Sequence, residues 1–68
     1  MGNIGRMGRR IKQLRTHRGL TQAQLAVRAR ISQGMIAQLE GGFRQSVDVH
    51  IAVRIARVLG TTAEALVR

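Results

Sequence analysis

Apolar residues recur along most of this chain at the three- and four-residue spacing of amphipathic helices, and turn residues interrupt them at short intervals. Ile11 and Leu14 share one face of a first helix predicted over residues 8–17, and Gly19 supplies the left-handed residue that ends it. Ile4 and Met7 continue the same spacing backwards, so this helix has the pattern to begin earlier. Leu25, Ala26 and Ala29 form the inner face of a second helix over residues 22–29. Thr21 is its cap, and Gln24 stands at the reciprocal position of a capping box. Ser32 caps a third helix over residues 33–40, in which Ile36 and Leu39 turn inward before Gly41-Gly42 stops it. Residues 41–47 read as a loop. Asp48 caps a fourth helix with a broad apolar face of Val49, Ala52, Val53, Ile55, Ala56 and Leu59, ended by Gly60. Thr61 or Thr62 caps a last short helix carrying Ala63, Leu66 and Val67, and Thr61 with Glu64 has capping-box spacing. The expectation is an all-α fold of five short helices around one core. Residues 1–8, with three glycines, form a flexible basic lead-in to a domain over residues 9–68.

With 68 residues the chain is one domain, close to the lower size limit for a core that folds unaided. The absence of cysteine excludes disulfides and a cysteine-based zinc site. His17 and His50 are far apart, with no carboxylate set to complete a metal centre, so no metal or cofactor is expected. Ser32 and Thr21 are explained as caps, with no base arranged to make either a nucleophile, and an enzyme is not expected. No apolar run reaches the roughly 20 residues of a membrane span, which implies a cytoplasmic protein. Met1-Gly2 suggests a myristoylation start, but Arg6 stands where that motif needs Ser or Thr.

Charge then narrows the reading. Twelve Lys plus Arg against three acids, a formal net charge of +9, imply a polyanionic partner unless the charge merely solvates the surface. The third helix turns Gln33, Gly34, Ala37 and Gln38 outward. Glutamine donates and accepts at once, the pattern that adenine N6 and N7 present in the major groove.

The segments IKQLRTHRGLTQAQLA, ISQGMIAQLEGG and VRIARVLGTTAEAL, in this order and spacing, resemble the helix-turn-helix domain of lambdoid phage repressors and the wider Xre-type regulators. The resemblance implies a lambda-repressor-like fold with the helix-turn-helix at the second and third helices. It also implies sequence-specific binding of double-stranded DNA by a transcriptional repressor or regulator, acting as a homodimer on an operator. Base readout falls on Gln33, Gly34, Met35 and Gln38. Met35 can lie against a thymine methyl or fill the core, and Gly34 suits a close backbone approach. Phosphate contacts fall on Gln22 and Ser32 at helix starts, on Arg44 and Gln45 in the following loop, and on Arg9 and Arg10 of the first helix. Arg15 and Glu40 are expected to form a structural ion pair fixing the third helix against the first. Dimerisation is expected near the C-terminal end, through Ala63, Leu66 and Val67. An antitoxin-type module that binds a protein partner is the alternative use of the same fold.

Two departures stand out. Arg30 occupies the turn where the family usually has glycine, and a positive φ there costs arginine about 1 kcal/mol. If the second helix instead ran on, Arg30 would sit at ordinary negative φ. The loop after the third helix is one residue longer than the family's and lacks its proline.

Overall fold

The computed structural model describes residues 6–44 and 47–67. Among them the chain forms five helices and no strand: α1 Arg6–His17, α2 Gln22–Ala29, α3 Gln33–Glu40, α4 Val49–Leu59 and α5 Ala63–Val67. α1 lies against α3, α4 and α5, and α2 against α3 and α4. Ile11, Leu25, Ile36, Leu39, Ile55, Leu59 and Leu66 meet in the centre as its largest fully buried side chains. Burial of each such aliphatic side chain contributes about 1.5–3 kcal/mol.

Helix ends follow local chemistry. Thr21 Oγ1 accepts from the Gln24 amide at 3.0 Å, and Gln24 Oε1 accepts in return from the Thr21 amide at 2.8 Å, closing the expected capping box. Ser32 Oγ accepts from the Met35 amide and Asp48 Oδ1 from that of Ile51, each at 3.0 Å. At the start of α5 the cap is Thr62, whose hydroxyl accepts from the Ala65 amide at 3.1 Å. This choice puts Ala65, not Glu64, three residues on, so the second capping box does not form.

The first four helices close with the same pair of hydrogen bonds around a left-handed residue. In α2 the Ile31 amide reaches the Ala26 carbonyl at 3.0 Å and the Arg30 amide that of Val27 at 3.2 Å. Gly19, Gly42 and Gly60 hold the left-handed position after α1, α3 and α4, at φ 72°, 81° and 74°. After α2 the residue is Arg30, at φ 61° and ψ 43°, the one non-glycine with positive φ among the described residues. The turn that joins α2 to α3 holds in this conformation a side chain that disfavours it.

One boundary differs from expectation. α1 begins at Arg6, two residues before Gly8, because Met7 is 6% exposed and packs into the core cluster. Gly8 is buried as well, with its α-carbon facing the end of α3. A Cβ at this position would collide with the Leu39 carbonyl oxygen and lie 2.6 Å from the carbonyl carbon. Residues 6–8 therefore belong to the folded domain, and the glycine read as a source of flexibility lets α1 approach the backbone of α3 at Leu39.

Candidate nucleic-acid interface

α3 divides cleanly by environment. Ile36 and Leu39 are fully buried and Met35 packs against the core, while Gln33, Gly34, Ala37 and Gln38 are exposed on the opposite side. Met35 thus contributes more to holding the helix than to its outer face, and of its two expected roles the packing role is the one visible. The side-chain amides of Gln33 and Gln38 have no partner among the described residues, so their hydrogen-bonding capacity is directed outward. At Gly34 an added Cβ would meet only Ser32 Oγ, at 3.9 Å. No intramolecular packing requires glycine at this position.

The end of α3 is tied to both helices before it. Arg15 grips the Glu40 carboxylate with two forked contacts, Nε to Oε2 at 2.6 Å and Nη2 to Oε1 at 2.9 Å, while its Nη1 donates to the Leu20 carbonyl at 2.8 Å. The side chains are 11% and 4% exposed. The hydrogen bonds from Arg15 to Glu40 raise the arginine's pKa above its ordinary value, against the opposing effect of burial. Gln22 completes the arrangement, its Nε2 donating to Glu40 Oε1 at 3.0 Å. A carboxylate that would repel phosphate is thereby neutralised, and the start of α2 is fixed beside the end of α3. This use of the Gln22 side chain was not anticipated, since its expected role was contact with phosphate. Capping takes the amides of Gln24 and Leu25 and leaves those of Gln22 and Ala23 at the open start of α2. The positive end of the helix and those amides remain suited to an anion.

The other expected phosphate neighbours fall in different places. Ser32, Arg9 and Arg44 are exposed. Gln45 lies outside the described residues. Arg10 is half-buried and its Nη1 donates to the Ala65 carbonyl in α5. Two further arginines act in the same way: Arg18 Nε donates to the Leu59 carbonyl at 3.0 Å and Arg54 Nε to the Ala29 carbonyl at 2.9 Å. With Arg15, these account for four of the twelve basic side chains as internal ties to carbonyls, most at helix C-terminal ends, where cations offset the dipole. Nothing in the local sequence distinguishes these three from solvated surface charge.

The proposed dimer contact is also altered. Leu66 is fully buried within its own chain, whereas Val67 is 60% exposed. No helix among the described residues is long and apolar enough to cross a membrane, and no cluster of possible metal ligands occurs among them.

Two helices joined by a tight turn, the second anchored on one side and displaying polar side chains on the other, define a helix-turn-helix domain. The chain belongs to the helix-turn-helix domain family, whose model matches residues 6–68. Its fold is that of the master regulator for biofilm formation SinR, solved in complex with DNA, at a TM-score of 0.87 and 22% identity over 91% of this chain and 98% of that one. It is also that of the clp gene regulator ClgR from Corynebacterium glutamicum, at a TM-score of 0.84 and 23% identity over 97% of this chain and 69% of the other. No curated protein sequence matches it.

Proposed function

We propose that this chain is a transcription regulator that binds double-stranded DNA in a sequence-specific manner, acting in the cytoplasm. α3 enters the major groove and reads base edges with Gln33 and Gln38, while Gly34 lets the helix backbone approach closely. Gln22, Ser32, Arg44 and Arg9 supply phosphate contacts that set the register. The observation that carries this reading is the outer face of α3, where two unpartnered glutamines flank an exposed glycine on a helix anchored by Ile36, Leu39 and the Glu40 network. The DNA complex of SinR, a protein of the same fold, supports it. A homodimer on two half-sites about one helical turn apart suits such a domain. Sedimentation with and without operator DNA checks the stoichiometry, and one protein per operator would exclude the dimer.

The reading is tested by selecting bound duplexes from a random pool and comparing them with random DNA. Sequence-specific binding gives a large affinity ratio; charge alone gives none. On the selected site Gln33→Ala is expected to lose about 1–3 kcal/mol at one base position and to relax preference there. Equal weakening on every sequence would remove Gln33 from base readout.

A further inference from the structure

Four arginines converge at the end of α2 opposite Gln22. Arg28 from the last turn of α2, Arg30 from the turn after it, and Arg54 and Arg57 from α4 line, with Val58, a cleft of about 260 Å³. Arg54 is held in place by its hydrogen bond to the Ala29 carbonyl. Arg57 follows it by three residues and so shares its face of α4. Arg28, Arg30 and Arg57 are exposed and have no partner among the described residues. The three acids of the chain are engaged elsewhere. Glu40 pairs with Arg15, Asp48 caps the start of α4, and Glu64 lies beside Arg10 in a separate hollow.

Four like charges around one hollow repel one another. Arg30 adds a second cost, because its left-handed backbone strains any residue with a Cβ. Glycine at position 30 would relieve both. The turn between α2 and α3 accounts for the left-handed backbone at position 30 but not for a fourth guanidinium there, and an anion bound among the four would offset their repulsion by its attraction to each. Guanidinium forks match the oxygens of a phosphate, whether a backbone phosphodiester or a terminal phosphoryl group, the latter carrying more charge than a carboxylate. The cleft falls below the roughly 300–1,000 Å³ of sites for drug-sized ligands, so it fits one or two phosphoryl groups and not a larger molecule enclosed whole.

We infer that the cleft of Arg28, Arg30, Arg54 and Arg57 is a second anion site, separate from the outer face of α3, that binds a phosphoryl group. The group belongs either to a free phosphorylated small molecule or to the backbone of duplex DNA flanking the site that α3 reads.

The experiment titrates pyrophosphate into DNA-free protein at constant ionic strength, followed by the amide and guanidinium NMR signals. The comparison is Arg28→Gln/Arg57→Gln, which spares the capping Arg54 and is checked for folding by circular dichroism. Saturable shifts confined to the signals of Arg28, Arg30, Arg54, Arg57 and Val58, with binding at least about tenfold weaker in the double variant, are expected. The same variant is then measured on duplex DNA against salt. Each phosphate contact contributes about 0.9 to the slope of log affinity on log salt. A slope reduced by about two assigns the cleft to flanking DNA phosphates. An unchanged slope with saturable pyrophosphate binding assigns it to a free ligand. Shifts as large at Arg9 and Lys12 as at the cleft, or no saturation together with an unchanged slope, would overturn the inference.

Discussion

Replacing Arg30 with glycine should make this protein more stable, although it removes a side chain and adds nothing. Arg30 is at φ 61° and ψ 43°, where its Cβ crowds the following carbonyl oxygen. That conformation costs an L-residue about 1–2 kcal/mol and glycine almost nothing. Glycine is the more flexible residue in the unfolded chain, which returns about 0.4–1 kcal/mol of the difference. The net expectation is a gain of about 1 kcal/mol, or about 4–8 °C in Tm for a domain of this size. The hydrogen bonds closing α2 all use backbone groups, from the Arg30 and Ile31 amides to the Val27 and Ala26 carbonyls, so they survive the change. Loss of charge beside Arg28, Arg54 and Arg57 also relieves repulsion, and Arg30→Ala controls for it. Alanine loses the same charge but keeps the Cβ, so the difference between the two variants isolates backbone strain. Urea melts of wild type, Arg30→Ala and Arg30→Gly, at low and high salt, supply the comparison. The charge component, common to both variants, should shrink with salt, while the glycine-minus-alanine difference should persist. Arg30→Gly no more stable than Arg30→Ala would refute the argument from strain.

Three further outcomes follow from the packing and the caps. Gly8→Ala drives a Cβ into the backbone of Leu39, which cannot yield as a side chain would, and should cost at least about 3 kcal/mol or abolish the cooperative thermal transition. Arg15→Met leaves the buried Glu40 carboxylate without its main partner and should cost about 3–5 kcal/mol; Arg15→Met/Glu40→Leu should recover much of this, and a single-variant loss below about 1 kcal/mol would show the pair to be dispensable. The Asp48 carboxyl titrates below its ordinary range, chiefly because it accepts the Ile51 amide, with smaller help from the His50 amide and the charges of His50 and Arg54. The unfolded chain therefore takes up this proton first. The contribution is whole above the ordinary carboxylate pKa of about 4 and is lost as pH falls through the lower folded value, so Asp48→Asn should flatten that part of the acid limb of stability against pH.

Much of this molecule was legible in the order of its residues because the interactions concerned are local. A cap joins positions three apart, so Thr21 with Gln24, Ser32 with Met35 and Asp48 with Ile51 can be read directly. Helical periodicity likewise sorted Leu25, Ala26, Ile36 and Leu39 inward and Gln33, Gly34 and Gln38 outward. The left-handed turn at Arg30 was foreseeable only through family resemblance, since arginine is a poor local signal for it. Other features depend on which helix lies beside which. Gly8 is required by the Leu39 backbone, 31 residues further on, and nothing in its neighbourhood distinguishes it from a mobile glycine. Arg10, Arg18 and Arg54 look like surface charges until packing brings the carbonyls of Ala65, Leu59 and Ala29 within reach. Gln22 turns to Glu40, and Leu66 disappears into the core, for the same reason. A long side chain can serve solvent, phosphate or a distant carbonyl equally well by its chemistry, and only the packing of the helices decides which of them it meets.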